Sequence, residues 1–235
     1  MIGELRLLGL AHGLLLGLLL ACSWQVPDLL PWGIDALLLV GGFQLRLADR
    51  RIIPRPGARE WISHIRMAPT RLIRWGAAAV IALIAGHADL AIAILLAALT
   101  CELLAYPLTT RLLGRVPLAP AAAILMLLVA ALGLPGPATL HFILGFLTGV
   151  TAAIVWLRGP DGEPRALAAV LGGSAAAVAT AVIFPGILAF AAPTLTVCAA
   201  WTLAYLSLLR RPVTPWRLGA PPLRLRPSAI RRPLS

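Results

Sequence analysis

Glu102 sits in the segment LTCELLAYPLTTR (99–111), within an apolar run and nine residues before Arg111. A carboxylate there is a candidate for a proton, cation or substrate site, or for a neutral carboxyl that hydrogen-bonds a serine, threonine or carbonyl to fix helix packing, because burying its charge alone is costly. Pro107 has no N–H to give, which predicts a helix kink and a freed carbonyl at Leu103. An acid beside an unpaired carbonyl resembles the ion sites of transporters built from interrupted helices. His12, in GLAHGLLLG, is the titratable residue expected at comparable depth on another span.

Depth follows from the helical rise. Glu102 lies roughly 13 Å from Arg111 along its helix, and His12 roughly 9 Å from Arg6. Thr148, Thr151, Ser174 and Trp201 fall at roughly 10–15 Å on their own spans. These residues are predicted to form a polar layer serving a substrate or a proton. Walker, dinucleotide, H-E-x-x-H and nucleophile-elbow patterns are absent, and the histidines and acids show no metal-ligand spacing. No cofactor or metal is predicted. Cys22, Cys101 and Cys198 are isolated in or at the ends of apolar segments and read as small packing residues.

The elements that must position these residues are apolar. Of the 235 residues 60% are hydrophobic and 12% charged, with mean hydropathy +0.92. Soluble domains carry roughly 25% charged residues, so the composition predicts an all-α integral membrane protein. Eight spans are expected, at about 7–24, 30–47, 70–86, 89–110, 118–134, 138–157, 166–184 and 193–209. Lysine and asparagine are absent, which fits a GC-rich bacterial genome and removes Schiff-base lysines and N-glycosylation sequons.

The 20 arginines all fall on one side of that arrangement. Arg6 precedes the first span, eight from Arg46 to Arg74 lie around the second connection, and seven from Arg210 to Arg232 follow the last. The opposite loops contain none, so the positive-inside rule predicts cytoplasmic termini in a bacterial inner membrane. Trp24 and Trp32 are expected at outer interfaces, Trp75 and Trp156 at inner ones. Asp35 and Asp89 read as interfacial acids, Asp49 and Glu60 as surface partners of arginine. Arg6, the apolar run to Ala21 and LLAC at 19–22 have the outline of a lipoprotein signal. Leu20 is a poor residue at that box's penultimate position, so the segment is expected to remain as a span.

Gly9, Gly13 and Gly17 lie four apart on the first span, and Gly145 and Gly149 repeat the device; both predict close helix packing. Residues 58–68 predict a short interfacial amphipathic helix ended by Pro69. Arg55, Arg59, Arg66, Arg71 and Arg74 are candidates to contact an anionic headgroup or a partner. The tail 210–235, rich in proline and arginine, is expected to lie along anionic lipid or meet a protein partner. Nothing in it resembles a nucleic-acid recognition fold.

The function expected from these features is transport: a small permease or flippase-like protein for a small solute or lipid-linked substrate. Glu102 would be the proton or substrate site and His12 its partner. Alternatives are a non-catalytic subunit or assembly factor of a larger complex, and a membrane enzyme acting on a lipid headgroup.

Overall fold

A close crossing of two central helices organises the molecule. The computed structural model describes residues 2–25, 30–49, 58–158, 164–183 and 188–209, and among these every regular element is helical. The elements are α1 (Ile2–Gln25), α2 (Leu30–Ala48), α3 (Ala58–Ile84), α4 (Ala88–Thr100), a π-helix (Cys101–Ala105), α5 (Tyr106–Leu113), α6 (Leu118–Leu132), α7 (Ala138–Arg158), α8 (Pro164–Ile183) and α9 (Leu188–Leu209). Two rods among the described residues, Ala88–Leu113 and Ala138–Arg158, are long and apolar enough to cross a membrane; Leu7–Ala21, Leu118–Leu132 and Phe190–Leu206 are shorter apolar helices. The tail 210–235 and Arg55 lie outside the described residues, as does the side chain of Arg59.

α2 and α7 pack together more extensively than any other pair of helices, and glycine is the reason. A methyl group at Gly149 would collide with the Leu39 carbonyl and one at Gly42 with the Phe146 carbonyl; at Gly145 it would come within 3.2 Å of the Asp35 carbonyl. Backbone therefore meets backbone, the geometry small residues permit. Gly42 on α2 completes what Gly145 and Gly149 begin on α7. The first-span glycines behave differently. Gly13 and Gly17 are exposed with nothing near the position of a Cβ, so they pack against none of the described residues. Their expected role is corrected: α1 turns that stripe outward because its buried face is the one carrying Leu8, His12 and Leu19.

Around the crossing, α1 and α9 flank α2, while α4 and α6 flank α7. α3 packs on α4 and α8 on α9, each immediately preceding its partner in sequence. The α3–α4 turn is a Schellman motif: His87 N–H donates to the Ala82 carbonyl at 2.9 Å and Gly86 N–H to Leu83 at 3.0 Å. Gly86 adopts φ +84°, which a side chain would strain. One apolar cluster includes Leu37, Ile94 and Phe142, and a second includes Leu8, Phe43 and Ala200.

Two further expectations are corrected. Pro69 does not end a separate interfacial helix; α3 runs unbroken from Ala58 to Ile84 with the proline inside it. Losing one helical bond and accommodating the ring costs about 3 kcal/mol or more. Arg71 reaches back across the proline to the His64 carbonyl at 2.8 Å. Trp75 and Trp156 are buried rather than interfacial, because α2 and α9 cover them.

Candidate functional site: an arginine-lined cavity beside Glu102

The site begins with a one-residue misfit in the α4–α5 rod. Tyr106 N–H donates to the carbonyl of Cys101, five residues back, rather than to Glu102. In that wider register the next donor to the Glu102 carbonyl would be residue 107, and Pro107 has no N–H. The Glu102 carbonyl thus has no donor within its own helix. His64 Nε2, on α3, lies 3.0 Å from it and supplies the bond. The carbonyl that His64 reaches is that of Glu102, one residue before the Leu103 carbonyl expected to be freed. The expected kink at Pro107 takes the form of a π-helix, with Pro107 in the first turn of α5.

The Glu102 side chain is 2% exposed. Its Oε2 accepts from Arg71 Nε at 2.8 Å, and His64 Nε2 lies 3.8 Å away. Arg71 Nη2 lies 3.1 and 3.3 Å from the two ring nitrogens of His64 while bonding its carbonyl. The opposite face of the network is aromatic. The His64 ring stacks on Tyr106 with centroids 4.9 Å apart, and the Tyr106 hydroxyl donates to Asp49 Oδ2 at 2.7 Å. Burial, and then the Arg71 guanidinium, lower the His64 pKa; the Glu102 carbonyl, the Glu102 carboxylate and Asp49 act in the other direction. A neutral imidazole with its proton on Nε2 satisfies the carbonyl. Asp49 thus accepts from Tyr106 through its side chain and from Arg46 Nη1, at 3.5 Å, through its main-chain carbonyl.

Beside this network lies a cavity of about 460 Å³, within the range of small-molecule sites. Its polar lining is His12 from α1, Gln44 from α2, Arg71 and Arg74 from α3, and Glu102. Gly9, Gly41, Leu45, Ala48 and Trp75 complete the wall. Gly41 is needed because a methyl there would collide with the Trp75 indole. The cavity runs from Ala48 and Arg74, which are exposed, to His12 and Glu102, which are buried. Arg74 Nη1 donates to Gln44 Oε1 at 3.3 Å. His12 stands edge-on to Trp75 at 5.8 Å, and neither of its ring nitrogens has a hydrogen-bond partner. Two guanidinium groups face one carboxylate, so the lining holds a net positive charge.

Glu102, His12, Arg71 and Arg74 thus come together, although His12 does not bond Glu102. The remaining expected residues do not join them. Thr148 donates to Leu144 at 2.7 Å and Ser174 to Val170 at 2.8 Å, each within its own helix. Trp201 Nε1 donates to the Ala152 carbonyl at 3.1 Å and ties α9 to α7. The Thr151 hydroxyl is buried without a partner, away from this cavity. The polar layer is corrected on this point: equal depth placed these residues on different faces, and short hydroxyl side chains bond their own helix most readily. Arg66 is exposed and does not line the cavity.

His64, Gln44 and Tyr106 were not anticipated. The available signal was the spacing of His64 and Arg71, seven apart and on one face of an unbroken helix. Ending the helix at Pro69 hid it.

No protein-family model, curated protein or solved structure matches the chain.

Proposed function

We propose that the chain is a multi-span protein of a bacterial inner membrane, with both termini cytoplasmic, acting as a small permease or flippase-like transporter. The observation that carries this reading is the cavity leading from exposed Arg74 to buried Glu102. The distribution of arginine supports an eight-span arrangement in which the cavity mouth, at Ala48 and Arg74, faces the cytoplasm. A substrate anion arriving at Arg71 competes with Glu102 for the guanidinium. A carboxylate deprived of its counter-ion in a buried site takes up a proton rather than stay charged. Exchange of partners at Arg71 then couples anion entry to proton uptake.

The test is transport in proteoliposomes containing the purified full chain, followed with an internal pH dye and candidate anionic solutes. Glu102→Gln is expected to abolish the linked proton movement while leaving a folded protein. Undiminished proton-linked transport by that variant would refute the role given to Glu102.

The subunit reading is favoured by one observation, the exposed Gly13–Gly17 stripe, which leaves room for a second helix. Co-purification of a stoichiometric partner, lost when bulky residues replace both glycines, would support it.

A further inference from the structure

We infer that the cavity takes a tetrahedral oxyanion, a phosphate group, carried on an apolar body. The inference rests on the transporter reading for movement of the ligand, but not for its binding. Its basis is a surplus of donors. Glu102 consumes one N–H of Arg71, and the His64 carbonyl consumes another. Arg71 Nη1 is left without an acceptor among the described residues. Arg74 is matched by no carboxylate among them and bonds the neutral Gln44 oxygen. That bond fixes Gln44 with its oxygen toward Arg74, and its amide nitrogen then lies toward Gly9.

His12 supplies the second, independent observation. It is 5% exposed, lines the cavity and has both ring nitrogens unpartnered. A neutral imidazole has one donor nitrogen and a protonated one has two. Buried polar groups left unpaired are costly, so an acceptor in the cavity would relieve that cost.

The donors come from three helices: His12 on α1, Gln44 on α2, and Arg71 with Arg74 on α3. A planar carboxylate offers two oxygens in one plane, which suits a single bidentate arginine. A phosphate group offers three terminal oxygens in three directions, which matches donors converging from three helices. The cavity also exceeds the volume of a bare phosphate, and Trp75 and Leu45 give the excess an apolar wall. The ligand is therefore a phosphoester with an apolar substituent, whether a lipid headgroup or a free solute.

Calorimetry on the purified chain in detergent, with octyl phosphate, octanoate and octanol as probes, tests the chemistry. Octyl phosphate is expected to bind about tenfold more tightly than octanoate, with octanol weaker still, in line with loss of a charge-assisted hydrogen bond. Arg74→Gln, at an exposed position, is expected to weaken octyl phosphate by about tenfold or more. Arg115→Gln, an exposed arginine outside the cavity, is expected to change it by less than about twofold. Equal binding of octanol and octyl phosphate, or equal effects of the two substitutions, would overturn the inference; octanoate binding as tightly as octyl phosphate would overturn the tetrahedral group.

The source is read in phosphatidylcholine nanodiscs with and without phosphatidic acid, using native mass spectrometry. Retention of phosphatidic acid by the native chain, lost in Arg74→Gln, identifies a lipid headgroup. Binding of octyl phosphate with no such retention identifies a soluble phosphoester. Specific binding with no movement across the bilayer refutes transport alone. Transport of a solute lacking any anionic group refutes this inference and the exchange of partners at Arg71, and leaves the transporter reading standing.

Discussion

His64 Nε2 donates to the main-chain carbonyl of Glu102 at 3.0 Å, a bond that replaces one the α4–α5 rod cannot make for itself. The π register moves the Tyr106 N–H away from that carbonyl, and Pro107 cannot take its place. The same imidazole stacks on Tyr106 and lies against Arg71. One histidine on α3 thus holds open the irregular turn that points the Glu102 carboxylate at Arg71.

Removing that donor should be felt directly. His64→Ala is expected to destabilise the protein by about 1–3 kcal/mol, the usual cost of a buried acceptor left unsatisfied. His64→Gln, which keeps a donor, should lose less. Chemical unfolding in detergent measures both, and equal losses would count against the carbonyl bond as the cause.

Pro107→Ala restores an N–H in the register facing the Glu102 carbonyl. His64→Ala should therefore cost less in the Pro107→Ala background, with a coupling of about 1 kcal/mol in a double-mutant cycle. Additive effects would show that the two residues do not serve the same carbonyl.

Arg71→Leu strands a buried carboxylate and is expected to cost about 3–5 kcal/mol. Adding Glu102→Leu should recover much of the loss, since replacing a buried pair by apolar residues is often near neutral. A double variant no more stable than Arg71→Leu would argue that the arginine acts through His64 rather than through the ion pair.

The His64 pKa is lowered in the folded state by burial and by Arg71. Its contribution to stability is thus fully present above the unfolded value near 6.5 and is lost as pH falls below it. Arg71, Glu102, Asp49 and Tyr106 are the ionisable groups around it. The melting temperature should hold above about pH 7 and fall below about pH 6, with the fall reduced in His64→Gln. A native protein whose melting temperature is unchanged down to pH 5 would contradict this.

Gly149→Ala forces a methyl against the Leu39 carbonyl and should cost about 3 kcal/mol or more, at the upper end of overpacking effects. Gly13→Ala meets nothing and replaces glycine by a better helix former, so it should be neutral or stabilising by up to about 1 kcal/mol. Comparable losses at both positions would show that Gly13 is packed against something.

Some of this was written in the residues themselves. Apolar runs broken by Gly and Pro mark helices locally, and helix ends fell within a few residues of the expected limits at Leu118–Leu132 and Ala138–Arg158. Gly145 and Gly149 carried their packing role in their spacing. The oddity of Glu102 ahead of Pro107 was equally visible, because a buried acid and a missing N–H are properties of the chain. Their consequence was not. Whether a proline ends a helix depends on its tertiary surroundings, and at Pro69 the helix runs on.

Sequence alone determined an all-helical, apolar, basic chain with a carboxylate where carboxylates are expensive. Tertiary structure decided which helix faces meet. Rise per residue gives depth but says nothing of azimuth, so Thr148, Ser174 and Trp201 shared an expected level with Glu102 without sharing its cavity. Only the packing of α1 on α2 and α3, and of α3 on the π-helix, set His12, Gln44, Arg71 and Arg74 around one space beside Glu102. The pairing of Glu102 with Arg71 depends on rotation about two helix axes, and contacts among several helices fix that rotation together.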